Sequence, residues 1–169
     1  MYIIAHRGLL RGPDKEKENN PEQIEKALNA GFDVEVDVRM KDGKLWLGHD
    51  FPQYEMPSEY LKNSYHFWFH CKDFESFAWF QGYNFSGEHI TNFFWHDTDD
   101  YVFTSLNWIW VYPGKPLVPQ MSICVLPELD EDPIRWRDAA GVCTDWPGLY
   151  QVGWSVLQSA KGPAFKIQT

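Results

Sequence analysis

The stretch FDVEVDVRM at residues 32–40 alternates valines with charged side chains. Successive side chains of a strand point to opposite faces, so the three valines share one face while Glu35 and Asp37 lie on the other. Such alternation is typical of a half-exposed strand whose charges face water. The alternative is a barrel strand whose valines pack outward against helices and whose acids turn into the barrel mouth. The rest of the chain favours the barrel strand.

Length, charge and cysteine content restrict the class of protein. With 169 residues, 44% of them hydrophobic, the chain suits one domain covering residues 1–169. The net charge of −9 disfavours nucleic acid or an anionic membrane as a partner, because no basic surface is indicated. No apolar run reaches the roughly 20 residues of a membrane span. The three cysteines do not resemble a disulfide framework, which favours the cytoplasm.

The first helix has clear end signals. Asn20 is a good N-cap, Pro21 suits the first helical position, and Gly31 ends the apolar stripe. This helix lies between a strand that begins near Tyr2 and the strand that begins near Asp33. A strand, helix and strand in this order predict two neighbouring parallel strands. The segment KDGKLWLGHD then predicts a tight turn and a short return strand.

Eight main strands are expected along the chain, and most of them end in polar or charged residues. They begin near Tyr2, Asp33, His66, Ile90, Tyr101, Trp108, Ser122 and Gly141. Polar residues at the carboxyl ends of eight parallel strands predict an α/β fold of the (β/α)8 TIM-barrel type. Because such barrels usually have about 250 residues, several outer helices should be short or missing here.

The missing helices would leave part of the barrel wall uncovered. Its outward apolar side chains are Phe93, Trp95, Ile109 and Val111. Exposed apolar patches usually mark an interface. We therefore expect the C-terminal helix and tail, from about Leu149, to cover part of this wall and a homodimer contact to cover the rest.

A set of chemically versatile residues falls at the ends of the early strands: His6, Arg7, Glu35, Asp37 and His49. Two carboxylates can hold a hard divalent cation, and an arginine can bind phosphate oxygens. Two imidazoles can serve as general acid and general base. A lone histidine at a strand end is more often a hydrogen-bonded structural residue, but the whole set in this order predicts phosphodiester chemistry.

The same residues resemble the glycerophosphodiester phosphodiesterase family, which is related to the phosphatidylinositol-specific phospholipase C barrels. The similar motifs are HRG at 6–8, EN at 18–19, EVD at 35–37, the DG turn at 42–43, HD at 49–50 and TDWP at 144–147. The resemblance implies His6 and His49 as acid and base, in an order it leaves open, and Arg7 as a phosphate ligand. It also implies Glu35 and Asp37 as ligands of a divalent metal, Mg²⁺ or Ca²⁺.

The third predicted strand departs from that family, which usually supplies a third ligand from an ExK motif. Here the stretch is HCK, so His70 stands in the place of the glutamate and Lys72 keeps the place of the lysine. His70 is therefore expected as a third metal ligand and Lys72 as a phosphate ligand. A nitrogen ligand should weaken Mg²⁺ or Ca²⁺ binding or move the preference toward Mn²⁺. The alternative is that His70 only hydrogen-bonds Asp37 or phosphate.

Three further residues are candidates for lining the substrate: Glu128, Trp110 and Trp146. For the two tryptophans, filling the core is the more common role. His96 and the acids that follow it are most simply a solvated turn, although they could approach the site.

The leading hypothesis is therefore a metal-dependent phosphodiesterase that cleaves a small phosphodiester, such as a glycerophosphodiester, into a phosphomonoester and an alcohol. A phospholipase D-like enzyme that forms a cyclic phosphate is an alternative within the same class. A noncatalytic barrel that binds a phosphorylated or carbohydrate ligand through its aromatic residues is an alternative of a different class.

Overall fold

A curled mixed sheet of ten strands forms the centre of the computed structural model, which describes residues 1–87, 90–132 and 134–160. The strands are β1 (Tyr2–Ala5), β2 (Asp33–Lys41), β3 (Lys44–Leu47), β4 (Tyr54–Glu55), β5 (Phe67–Cys71), β6 (Asn92–Trp95), β7 (Tyr101–Phe103), β8 (Ile109–Val111), β9 (Ser122–Val125) and β10 (Gly141–Thr144). The α-helices are α1 (Pro21–Asn29), α2 (Glu59–Lys62), α3 (Phe74–Phe85) and α4 (Pro147–Ala160).

Seven strands run parallel in the order β6, β5, β2, β1, β10, β9 and β8. β3 returns antiparallel along the second half of β2, and β4 pairs with β3. The turn between β2 and β3 places Asp42 at φ 51° and Gly43 at φ 76°. Asp and Gly tolerate this left-handed conformation, which a two-residue hairpin turn requires, so the predicted turn and return strand are confirmed.

The (β/α)8 TIM-type barrel predicted from sequence is wrong, because the sheet is a curled half-barrel of mixed direction. Strands occur close to all eight expected positions, but β7 runs antiparallel to β8. Parallel neighbours need a crossover of about a dozen residues, usually a helix. Only residues 104–108 separate β7 from β8, and the described residues between β6 and β10 form no α-helix. The sequence thus predicts the positions of these eight strands and the parallel direction of seven of them, but not the reversal of β7.

The two best-defined helices begin as their sequences predict. The Asn20 side chain accepts a hydrogen bond from the backbone N–H of Glu22 at 2.9 Å, and Asp73 accepts one from Ser76 at 2.8 Å. Each cap satisfies a backbone donor that would otherwise lack a partner in the first turn. The segment DFESFAWFQG predicts a short helix with Asp73 as its cap and Gly82 as its stop, but α3 continues past Gly82 to Phe85.

The valine face of β2 is the outer face of the sheet. Val34, Val36 and Val38 are fully buried and belong to one apolar cluster with Ile24 of α1 and Phe80 of α3. The helices therefore cover the valines, as the barrel-strand interpretation requires. The acids of β2 consequently point to the inner, concave side of the sheet.

Most of the wall expected to lack cover is buried within the chain. Phe93 packs against the rings of Phe77 and Phe80 in α3, at centroid distances of 5.3 and 5.7 Å. Ile109 and Val111 are also buried, whereas Trp95 is 43% exposed. The homodimer contact therefore stays a prediction whose apolar basis is smaller than the sequence suggested.

The predicted C-terminal helix is present as α4, but its main contacts are with β1 and β10. The expectation that this helix covers the wall on β6 and β8 is therefore wrong. The tail that was expected to follow it, residues 161–169, lies outside the described residues. Within the described part of the chain, no helix combines the length and apolar character that crossing a membrane requires.

At Gly141, strand β10 lies very close to Tyr2 of strand β1. A Cβ at this position would lie 2.6 Å from the Cβ of Tyr2 and 2.8 Å from its carbonyl oxygen. Gly141→Ala is expected to lower the free energy of unfolding by about 1–3 kcal/mol through overpacking, measured by urea denaturation. The matched control is Gly82→Ala in α3, where a Cβ meets no atom within 4 Å. Gly82→Ala should raise the free energy of unfolding by up to about 1 kcal/mol, because alanine favours the helix more than glycine does. A Gly141→Ala protein as stable as wild type would contradict the observed register.

Candidate functional site

The acid face of β2 forms a buried charged cluster at the carboxyl ends of the neighbouring parallel strands. Glu35 and Asp37 are 1% and 0% exposed. β5 lies beside β2 in a register that pairs Asp37 with His70. β1 lies on the other side of β2 and ends directly before His6 and Arg7. Three strands thus bring five of the predicted site residues into one region.

Asp37 lies among positively charged and hydrogen-bonding groups. Arg7 Nε is 3.0 Å from Asp37 Oδ2, and Lys72 Nζ is 3.9 Å from Oδ1. Asn19 donates to Asp37 Oδ2 at 2.9 Å and accepts from the Asp37 backbone N–H at 2.9 Å. Burial alone would raise the pKa of Asp37, but His70, Arg7 and Asn19 outweigh it and hold that pKa well below its usual range. Asp37 is therefore ionised.

The HRG turn folds over these acids. Arg7 adopts a left-handed conformation with φ 51°, and its backbone N–H donates to Glu35 Oε2 at 3.0 Å. The Arg7 guanidinium also donates to Glu18 at 2.6 Å. The sequence pair EN at residues 18–19 thus has two roles, since Glu18 holds Arg7 and Asn19 holds Asp37. Arg7 contacts both acids of β2, through its backbone and its side chain.

His70 faces both carboxylates. Its Nδ1 is 3.4 Å from Glu35 Oε1 and 3.2 Å from Asp37 Oδ1. Burial would lower the pKa of His70, but the two acids outweigh burial and raise it. Three buried polar atoms of this cluster, Arg7 Nε, Asp37 Oδ1 and His70 Nε2, lack a hydrogen-bond partner of good geometry. Unpaired buried polar atoms are rare and costly, so the cluster is incomplete as a purely structural arrangement.

Glu35, Asp37 and His70 fit a divalent cation. One ligand atom from each residue lies within 4.8 Å of the other two. Two carboxylate oxygens and an imidazole nitrogen form a donor set that suits Mn²⁺, and the oxygens suit Mg²⁺ or Ca²⁺. A cation would also satisfy the unpaired Asp37 oxygen and offset the repulsion between the buried acids.

His6 is oriented by a carboxylate from the far end of the chain. Its Nδ1 is 2.8 Å from Asp145 Oδ1. The pairing of Ala5 with Thr144 in β1 and β10 places the next residue of each strand side by side. Burial would lower the pKa of His6, but the hydrogen bond to Asp145 and the charge of Glu35 outweigh it and raise that pKa. Asp145 was missed in the sequence, although the TDWP motif and the strand order together could have indicated it.

His49 lies in the loop after β3 and is half exposed. Its Nδ1 is 2.6 Å from Asp50 Oδ1. His49 borders a cavity of about 410 Å³ that is lined by Arg7, Lys15, Glu18, His49, Asp50, Phe51 and Gln53. The predicted acid–base residue and the predicted phosphate ligand Arg7 therefore share one cavity.

The three candidate substrate-lining residues have different surroundings. Trp110 is 2% exposed and packs in the core against the rings of Trp68 and Phe94. Glu128 accepts hydrogen bonds from the Thr144 hydroxyl at 2.9 Å and from the Asp145 backbone N–H at 3.0 Å, so it supports the residue that holds His6. Trp146 is partly exposed and packs closely on Gly12.

His96 belongs to the site, although the sequence favoured a solvated turn. It is 8% exposed, and its ring stacks on His70 at a centroid distance of 4.5 Å. Burial, together with the charges of His70 and Lys72, lowers the pKa of His96 to about 4, so its imidazole is neutral at pH 7. Strand parity could have found it, because Asn92 and Phe94 lie on the inner face of β6 and His96 follows that strand in the same alternation.

Comparisons of the chain with protein-family models, curated proteins and solved structures find no match.

The contact between His6 and Asp145 makes a testable prediction about ionisation. Asp145→Asn should lower the pKa of His6, because the variant keeps the burial and loses the carboxylate partner. NMR titration of the imidazole protons measures this change. Asp50→Asn, beside His49, is the matched control and should leave the His6 titration unchanged.

The same contact predicts a pH dependence of stability. The pKa of His6 is higher in the folded state than its value of about 6.5 in the unfolded state, so protonated His6 stabilises the fold. This contribution is fully present below about pH 6.5. This contribution is lost as the pH rises through the folded-state pKa, and Asp145→Asn should remove the effect. An unchanged His6 titration in Asp145→Asn would show that the contact does not control this histidine.

Proposed function

We propose that this chain is a metal-dependent phosphodiesterase that hydrolyses a small phosphodiester, such as a glycerophosphodiester, to a phosphomonoester and an alcohol. The observation that supports this most is the convergence of two carboxylates, an imidazole and a guanidinium at the carboxyl ends of β1, β2 and β5. Hydrolysis of a phosphodiester needs compensation of negative charge and two proton transfers. The site residues have the chemistry for both.

Glu35, Asp37 and His70 would hold the cation, which is Mg²⁺, Ca²⁺ or, because of the nitrogen ligand, Mn²⁺. A divalent cation supplies positive charge that stabilises the negative charge developing on phosphate oxygens. Arg7 and Lys72 would bind the phosphate. Both already lie beside Asp37, and their side chains are 18% and 15% exposed, so each keeps limited contact with the outside of the cluster.

His6 and His49 would carry the proton transfers. Because His6 Nδ1 is hydrogen-bonded to Asp145, acid–base chemistry falls to its Nε2 atom. His49 acts from the cavity that it shares with Arg7. In the hydrolysis, water oxygen bonds to phosphorus while the bond from phosphorus to the alcohol oxygen breaks. One of these two histidines accepts the proton from water, and the other donates a proton to the leaving oxygen.

The proposed setting is the cytoplasm. Cys71, Cys124 and Cys143 are free, buried thiols, which is compatible with a reducing compartment.

The proposed chemistry predicts that His6→Ala and His49→Ala each lower kcat by about 10²- to 10⁴-fold, the usual contribution of general acid or base catalysis. The assay is a panel of glycerophosphodiesters with Mg²⁺, Ca²⁺ or Mn²⁺, followed by ³¹P NMR. His66→Ala is the matched control, because His66 also pairs with a carboxylate, Asp33, at 2.9 Å but precedes β5 at the opposite end of that strand. The control should retain wild-type turnover.

Two other outcomes of this assay would support the alternative functions. A cyclic phosphate in the ³¹P spectrum would indicate the phospholipase D-like reaction. Binding of the diesters without turnover, under any of the three metals, would indicate a noncatalytic binding protein. More than about half of wild-type turnover in either histidine variant would remove that histidine from the mechanism.

The third metal ligand gives a separate prediction. His70→Glu replaces the nitrogen donor with a carboxylate, so the variant should bind Mg²⁺ or Ca²⁺ more tightly than wild type, because both ions prefer oxygen. Isothermal titration calorimetry measures the affinities. Equal affinities in the two proteins would show that His70 does not ligate the metal.

A further inference from the structure

Phe94, an inward residue of β6, and His96, which follows β6, hold the His70 ring on one side. β5 and β6 pair His70 with Phe94, and His96 follows two positions later on the same face. His70 stacks on Phe94 at 4.8 Å with an interplanar angle of 15°, and on His96 at 4.5 Å with an angle of 19°. Phe94 and His96 are themselves within 5° of parallel. The imidazole of His70 thus lies against two rings of matching orientation.

Tyr112, directly after β8, fixes His96 in turn. The Tyr112 hydroxyl is hydrogen-bonded to His96 Nε2, and the two rings meet edge to face at 4.8 Å and 76°. The hydroxyl also lies 3.4 Å from His96 Nδ1, and the His96 ring is buried. Its ring therefore has a defined orientation when it meets His70.

Phe94, which stacks on His70, is itself part of a buried aromatic cluster. Trp110 packs against Phe94 at 4.6 Å and against Trp68 at 5.8 Å, and all three rings are buried. The ring that stacks on His70, that of Phe94, is thus itself held by packing, and His70 Nδ1 faces the two carboxylates. Side chains held by packing and hydrogen bonds in this way are typical of residues that orient metal ligands.

We propose that His96 and Tyr112 are a positioning pair that holds the His70 ring toward Glu35 and Asp37 and thereby determines which divalent cation the site prefers. The inference rests on the proposed function, because it assumes that His70 is a metal ligand. Neither residue needs to touch the cation or the substrate.

The physical basis is the difference between nitrogen and oxygen as ligands. Ca²⁺ takes oxygen ligands almost exclusively, whereas Mn²⁺ also accepts imidazole nitrogen. A misoriented His70 therefore weakens Mn²⁺ binding more than Ca²⁺ binding. General loosening of the cluster would instead weaken both ions together. The ratio of the two affinities thus separates positioning from a merely structural role.

The experiment measures Mn²⁺ and Ca²⁺ affinities of the full chain by calorimetry. His96→Ala removes the stacked ring and should weaken Mn²⁺ binding by about 10- to 100-fold, the usual effect of losing a residue that orients a ligand. Tyr112→Phe removes one hydrogen bond while keeping the ring, and should weaken Mn²⁺ binding by about 2- to 10-fold. Ca²⁺ affinity should change less in both variants. Tyr112 is only half-buried, so Tyr112→Phe tests the inference even where His96→Ala unfolds the protein.

The matched control is His66→Ala. His66 also meets a tyrosine ring, that of Tyr65, at 4.2 Å, and pairs with a carboxylate, but it lies in an exposed position before β5. The control should leave the ratio of Mn²⁺ to Ca²⁺ affinity unchanged.

The outcomes distinguish this inference from the proposed function. An unchanged affinity ratio in Tyr112→Phe and in folded His96→Ala overturns the positioning role and leaves the phosphodiesterase proposal standing. A falling ratio in a protein that hydrolyses no phosphodiester supports the positioning role and rejects the proposed function. A wild-type chain that binds neither ion at millimolar concentration overturns both.

Discussion

The burial of Glu35 and Asp37 on one face of β2 is the constraint on which the rest of the site depends. Two carboxylates removed from water are costly unless opposite charges and hydrogen bonds compensate them. Arg7 and Asn19 contact Asp37 from one side and His70 approaches both acids from the other. Asp37 Oδ1 still lacks a hydrogen bond of good geometry, and Glu35, Asp37 and His70 each have a ligand atom within 4.8 Å of the others, so the cluster could hold a cation.

The compensating groups come from segments that are far apart in the chain, so the charge balance also joins those segments. The HRG turn reaches Glu35 through the Arg7 backbone and Glu18 through its side chain. His6 is joined to Asp145 across 139 positions of sequence. Parallel pairing of β1 with both β2 and β10 makes these contacts geometrically simple, since each group follows the end of its strand.

The buried charged cluster lies in the parallel part of an otherwise mixed sheet. α1 and α3 cover the outer face of that part, where the valines of β2 pack. From β7 to β9 the chain uses short connections instead of crossover helices, and β7 reverses direction. Even so, this less regular part contributes Tyr112, whose hydroxyl reaches His96 beside the site. The half-barrel therefore needs few helices to build a site from several strands.

The sequence by itself determined the local features: the helix caps at Asn20 and Asp73, the hairpin turn at Asp42, and the alternation that puts Glu35 and Asp37 on one face. Each of these depends on the conformational preferences of a few adjacent residues, which do not change with the fold. Only the tertiary structure decided that β7 is antiparallel, that Asp145 holds His6, and that His96 is buried against His70. Those outcomes depend on which strands become neighbours and in which direction. Packing between distant segments decides that choice, so no local pattern encodes it.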